Sequence, residues 1–199
     1  MFSKLILFLL AVLQLEQPKT ILFFGDSLTA GYGLSQEQAF PALVEMELNK
    51  QYPKVKAINA GLSGETSAGG LSRIDWTLRQ PIDVFVLELG ANDGLRGLPL
   101  DQTKKNLQSI IDKVKIKYPK ARVVLAGMMV PPNMGKLYSE EFKKIYPDLA
   151  IENKATLIPF LLEGVGGIEK LNQADGIHPN VEGHRIIAKN IATYLKKLI

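Results

Sequence analysis

Five short apolar runs punctuate this chain, at Thr20–Phe24, Val55–Asn59, Ile82–Leu89, Arg122–Ala126 and Thr156–Ile158. They are partly β-branched and carry apolar side chains at consecutive rather than alternate positions, so each predicts a strand buried on both faces. Strands of that kind belong to parallel sheets covered by helices. Between the runs the apolar spacing changes to three and four residues. It does so over Ala42–Leu48, and at Leu107, Ile110, Ile111 and Val114 on a segment opened by Asp101 and Thr103. A last helix follows Pro179 and is expected to bury Val181, Ile187, Ile191, Leu195 and Leu198. Strand and helix alternate throughout, which predicts an α/β fold: a three-layer α/β/α sandwich around a five-stranded, mostly parallel sheet.

That fold carries a rule about function. Ligands of open α/β sheets sit beyond the carboxyl ends of the strands. Ser27 follows the first run, Gly64 the second and Asn92 the third, and the loop holding Asp175 and His178 lies beyond the fifth. All the polar candidates therefore fall on one edge of the sheet, where random placement would divide them between two.

Their chemistry is complementary. A serine hydroxyl is a weak nucleophile until an imidazole accepts its proton, and the imidazole needs a partner that fixes its tautomer. The chain has two histidines. His184 lies inside the last helix and reads as a partly exposed helical residue. His178 sits in a loop three residues after Asp175, close enough for one turn to bring both side chains together. Gly64 offers a backbone N–H that a substrate can approach, and Asn92 a neutral carboxamide donor, the two kinds of group that stabilise an oxyanion. Each residue also has a plainer reading. Ser27 can cap the helix of Ser-Leu-Thr-Ala, Asp175-Gly176 and Gly64 can be turns, and Asn92 can be a cap or an Asx-turn. The lipase-type Gly-x-Ser-x-Gly elbow is absent, since Thr29 stands at its second glycine.

Four blocks, Phe24-Gly25-Asp26-Ser27-Leu28, Ala60-Gly61-Leu62-Ser63-Gly64-Glu65-Thr66, Leu89-Gly90-Ala91-Asn92-Asp93-Gly94-Leu95-Arg96-Gly97 and Asp175-Gly176-Ile177-His178-Pro179-Asn180, occur in that order. Together they resemble the SGNH (GDSL) hydrolase superfamily, and more narrowly its thioesterase I / protease I / lysophospholipase and arylesterase group, from about Thr20 to the end. The resemblance implies a flavodoxin-like sheet and no metal or cofactor. It implies Ser27 as nucleophile, His178 as base and Asp175 as its orienter, with an oxyanion hole from the N–H groups of Ser27 and Gly64 and the Asn92 amide. It further implies that Leu95, Arg96 and Leu98 belong to a loop over the acyl chain, and that Met129 and Pro131 line the opposite wall. Relatives often carry an arginine in that second segment, where this chain has Met128, Met129 and Val130. The departure favours apolar acyl or aryl groups, although the methionines can equally be core filling.

Composition sets the outer bounds. The 199 residues, 46% hydrophobic and 22% charged, suit one globular domain. The absence of cysteine removes thiol chemistry and disulfides, and with two histidines it excludes a His-rich or Cys-rich zinc site. The net charge of +4 is spread over helical segments such as Lys104–Lys117 and Lys143–Lys154, as solvated faces rather than a nucleic-acid footprint. Met1-Phe2-Ser3-Lys4 precedes the apolar run Leu5–Leu13, too short to span a bilayer easily. Residues 1–18 therefore predict a signal peptide, residues 19–199 the mature domain, and the periphery or exterior of the cell as its location (periplasmic or secreted), with no membrane span after processing. A core helix is the alternative for the same run.

The expectation is thus a monomeric, cofactor-free serine esterase for small-molecule esters and thioesters with short- to medium-chain acyl or aryl groups, lysophospholipids among them. Two rivals share the fold: a carbohydrate O-acetylesterase, thinly supported by the single tryptophan, Trp76, and a non-catalytic binding module. A phosphate-binding reading fails on Asp26, a carboxylate where phosphate requires neutral donors.

Overall fold

The computed structural model describes residues 18–52 and 54–199, so the segment expected to direct export lies outside the described residues apart from Pro18. Its sheet contains β1 (Thr20–Gly25), β2 (Lys56–Gly61), β3 (Val84–Glu88), β4 (Arg122–Ala126) and β5 (Thr156–Ile158), all parallel, in the order β2-β1-β3-β4-β5. This is the flavodoxin-like strand order. Its direction reverses at β1, and the crevice between β1 and β3 is the place where such folds bind ligands.

The helices are α1 (Ser27–Ala30), α2 (Phe40–Asn49), α3 (Ser67–Thr77), α4 (Ala91–Leu95), α5 (Leu100–Lys117), α6 (Lys136–Asn153) and α7 (Val181–Leu195). One layer packs α2 against α7, and the other packs α3, α5 and α6 in sequence. Side chains alternate across β1 to serve both layers. Phe23 meets the edge of Phe40 from α2, while Phe24 stacks near Phe85 and lies under the guanidinium of Arg73 from α3. Every residue from Ile21 to Phe24 is fully buried, as the doubly covered strand requires.

Three expectations change. The two outer runs are not buried on both faces: β2 starts after Val55 and none of its six residues is fully buried, and in β5 only Ile158 is buried, because both are edge strands. In α7, Ile187, Ile191 and Leu195 are buried, but Val181 at the first turn and Leu198 beyond the helix end are only partly covered. His184 is not a partly exposed residue. It is buried between α7 and α2, where its Nδ1 accepts the Phe40 N–H at 3.0 Å. Phe40 opens α2 with no side-chain cap, so His184 satisfies one of the free donors at that helix end.

The strand register brings the site together. Gly25 pairs with Gly61 on one side and with Glu88 on the other, so three strands finish at one level. The chain segments carrying Ser27, Gly64 and Asn92 leave the sheet from there.

Candidate active site

Ser27 is the first residue of α1, and Asp26 is the cap: its Oδ1 accepts the Leu28 N–H at 3.0 Å. This corrects the capping alternative for Ser27 and leaves the serine hydroxyl free of any helix duty. Gly31 ends the single turn in the left-handed region (φ 75°), and the N–H groups of Gly31 and Tyr32 both donate to the Ser27 carbonyl.

The loop before α7 delivers the other two groups. Asp175 Oδ1 accepts the N–H groups of Ile177 and His178, each at 3.0 Å, in a tight Asx turn. Its Oδ2 lies 2.7 Å from His178 Nδ1, and His178 Nε2 lies 3.0 Å from Ser27 Oγ. The backbone N–H of His178, then its ring N–H and the Ile177 N–H, hold the Asp175 carboxyl down to about 2. An ionised carboxylate only accepts, so Nδ1 carries the imidazole proton and Nε2 is left to accept from the serine hydroxyl. That is the arrangement in which a hydroxyl can be activated for attack. Asn180 Oδ1 caps α7 at Glu182 and Gly183, which anchors the loop from its far side.

Gly64 stands exposed at φ 78°, and a side chain there would meet no neighbour, so backbone conformation rather than crowding calls for glycine. Asn92 lies one residue into α4, and its Nδ2 donates to Asp26 Oδ2 and to the Glu65 carbonyl, both at 3.1 Å. The three strand-end segments are thereby tied to one another. Buried Asp93 adds a further tie by accepting the Ser67 N–H at 2.8 Å and the Thr103 hydroxyl at 3.2 Å.

Ser27, Gly64, Asn92 and His178 open into a cavity of about 770 Å³. Of the five residues expected around the acyl chain, Leu95, Met129 and Pro131 stand in its walls, joined by Met128, Phe160 and Leu162. Arg96 and Leu98 lie outside them. Arg96 turns back to donate to the Gly64 carbonyl at 3.0 Å, and the Leu98 carbonyl accepts the Tyr138 hydroxyl. Met128 and Val130 are buried, so these two serve both core and cavity. Among the described residues no group of three His, Cys, Asp or Glu could hold a metal ion.

Sequence reasoning passed over several contributors. Tyr32 lays its ring 4.6 Å from that of His178. Gln173 Nε2 donates to the carbonyls of Tyr32 and Pro179, joining the serine loop to the histidine loop. Asp26 and Glu88 are both buried, and burial pushes Asp26 up to about 6 against the pull of the Leu28 N–H and the Asn92 amide. Glu88 carried a readable signal: a carboxyl inside a run read as buried on both faces.

A GDSL-like lipase/acylhydrolase family model matches residues 23–186. The esterase TesA of Pseudomonas aeruginosa is 39% identical over 192 residues, covering 96% of this chain and 94% of the relative. Thioesterase 1/protease 1/lysophospholipase L1 of Escherichia coli K12 is 41% identical over 181 residues, 90% of this chain and 85% of the relative. A crystal structure of TesA superimposes with a TM-score of 0.86 at 40% identity, covering 91% of this chain and all of the other.

Proposed function

The chain belongs to the GDSL-like lipase/acylhydrolase family, and we propose that Ser27, His178 and Asp175 are the acyl-transfer machinery by which it hydrolyses carboxylic esters and thioesters. The observation that carries this reading is the hydrogen-bonded relay from Ser27 Oγ through His178 to Asp175 at the mouth of an apolar cavity. His178 Nε2 takes the hydroxyl proton as Ser27 Oγ attacks the acyl carbon. The tetrahedral oxyanion is met by the N–H groups of Ser27 and Gly64 and by the Asn92 amide. His178 then gives its proton to the departing alcohol or thiol, leaving an acyl-serine. Water, activated by the same imidazole, releases the acid and restores the serine. The substrate is a small ester or thioester with an apolar acyl or aryl group, lysophospholipids included, handled by a monomer without cofactor. Export directed by residues 1–18 completes the proposal; its support is the basic start and the apolar run Leu5–Leu13. The single tryptophan, Trp76, is 65% exposed and stands outside the cavity walls, so it lends no support to an O-acetylesterase of carbohydrates; the aromatics in the walls are Tyr32 and Phe160.

A series of p-nitrophenyl esters tests the substrate class. Each methylene removed from water contributes about 0.8 kcal/mol, so kcat/KM should rise roughly fourfold per carbon until the cavity is filled. Activity confined to the acetate would return the deacetylase reading, and none at all the inert module.

Asn92→Ala should lower kcat by about 10²–10³ with little change in KM, because the amide meets full charge only in the tetrahedral intermediate. Both its resting partners, Asp26 and the Glu65 carbonyl, are acceptors that the oxyanion must displace or share. If Asn92 serves only to tie strand ends together, alanine will lower the melting temperature and leave kcat per folded molecule unchanged.

A further inference from the structure

Glu88 is the last residue of β3, 1% exposed, and has no part in the relay described above. Its Oε2 accepts two hydrogen bonds, from the Asp26 N–H at 3.1 Å and from the Thr29 hydroxyl at 2.7 Å. Those donors stand one residue before Ser27 and two residues after it. The carboxyl therefore grips the nucleophile turn on both sides, from beneath. Gly25 makes room for this, since a Cβ there would run into Thr29 Oγ1 and Glu88 Oε2.

We propose that Glu88 is a positioning residue for catalysis: through the Asp26 N–H and the Thr29 hydroxyl it sets the turn that carries Ser27, and it acts as an acceptor that needs no charge. The inference rests on the reading of Ser27 as nucleophile. Three observations give it its form. Glu88 Oε1 is buried and has no hydrogen-bond partner, so one oxygen does all the accepting and the other is free to hold a proton. Among the described residues no cation forms an ion pair with the group, and loss of solvent without such a partner favours the protonated form. Burial, and next the charge of Asp26, hold Glu88 well above the usual carboxylate range.

The two acids thus divide the work. Asp26 keeps the charge, accepting from the Leu28 N–H and from Asn92, the proposed oxyanion donor. Glu88, as the neutral acid, orients Asp26 and Thr29 without placing a second negative charge beside the first. A further polar group near the pair is Tyr146 from α6, whose hydroxyl donates to the Leu89 carbonyl at 2.9 Å. Glutamine reproduces the shape and the accepting oxygen of a neutral glutamic acid; alanine reproduces neither.

The test uses the purified full chain and its Glu88→Gln, Glu88→Ala and Thr29→Val variants. Steady-state constants on p-nitrophenyl butyrate, melting temperatures, and the rate of covalent labelling by a fluorophosphonate, mapped by mass spectrometry, are compared. Glu88→Gln should stay within about threefold of wild type in kcat. Glu88→Ala should lose roughly 30- to 100-fold in both kcat and labelling rate with KM within about threefold, the scale set by misplacing a reacting group by an ångström or less. Thr29→Val, which removes one of the two grips, should lose about tenfold. A Glu88→Ala protein with normal kcat per folded molecule would overturn the proposal in favour of a purely structural residue. Glu88→Gln as impaired as Glu88→Ala would overturn it by showing that the charge is needed. If Glu88→Ala does not fold, unchanged kcat in Thr29→Val overturns the proposal in its place. Wild-type label found on a residue other than Ser27 would instead remove the nucleophile reading, and Glu88's role with it.

Discussion

Replacing Ser27 with alanine is expected to lower kcat by about 10⁴–10⁶ while leaving the fold intact. The size follows from what remains. Without Oγ there is no acyl-serine, and the oxyanion donors and the cavity can only assist direct attack by water. Integrity of the fold follows from the local geometry. Asp26 supplies the cap of α1, Glu88 holds the flanking donors, and the Gly31 and Tyr32 N–H groups bind the Ser27 carbonyl, so no structural hydrogen bond depends on the lost hydroxyl. Circular dichroism and the melting temperature should therefore match wild type within the effect of one partly buried atom. Retention of more than a tenth of the activity by a folded variant would remove Ser27 from the mechanism.

The same region shows how much of the molecule was legible in its sequence. Strands such as Ile21–Phe24 and Val84–Leu87 declared themselves, since only double burial calls for such unbroken apolar runs. The second run misled because its burial depends on neighbours. Nothing in Lys56–Gly61 says that β1 lies on one side and solvent on the other; that is fixed by the strand order. Ser27, His178, Asp175, Gly64 and Asn92 could be placed on one edge because the fold rule converts sequence position into spatial position. What that rule cannot supply is the layer beneath. Asp26 and Glu88 meet only because Gly25 and Glu88 share a register position, and register is a tertiary property.

The two aspartates of the site illustrate how environment assigns roles to identical groups. Asp175 is partly exposed, and three N–H donors hold its pKa down to about 2, so at neutral pH it is a charged acceptor for His178. Asp26 is buried, and loss of solvent raises it to about 6. Its folded pKa exceeds its unfolded one, so the ionised form costs stability above pH 6 and that cost disappears as pH falls toward 4. The ionised form is nonetheless the one that can accept from both Leu28 and Asn92. Stability given up in this way is usual at sites organised for reaction rather than for rest.

The two histidines should respond in opposite ways to the same substitution. His178→Ala should reduce kcat by about 10⁴ or more, since the serine proton then has no acceptor and Asp175 no partner to orient. His184→Ala should keep kcat per folded molecule within a few-fold and lower the melting temperature, because it opens a void beneath Phe40 and strips the Phe40 N–H of its acceptor. Burial, and secondarily the charge of His178, depress His184 to about 4. Protonation would set an N–H on Nδ1 directly against the Phe40 N–H. An unfolded histidine takes up its proton near pH 6.5, so the folded state loses roughly 2–3 kcal/mol on this account between pH 7.5 and 4.5. His184→Gln, which offers an amide oxygen that does not titrate, should lose that much less stability over the same interval in urea titrations at the two pH values. Equal kinetic losses in His178→Ala and His184→Ala would mean that the base has been assigned to the wrong ring. Equal pH dependence of wild type and His184→Gln would mean that His184 is not the group that senses acid.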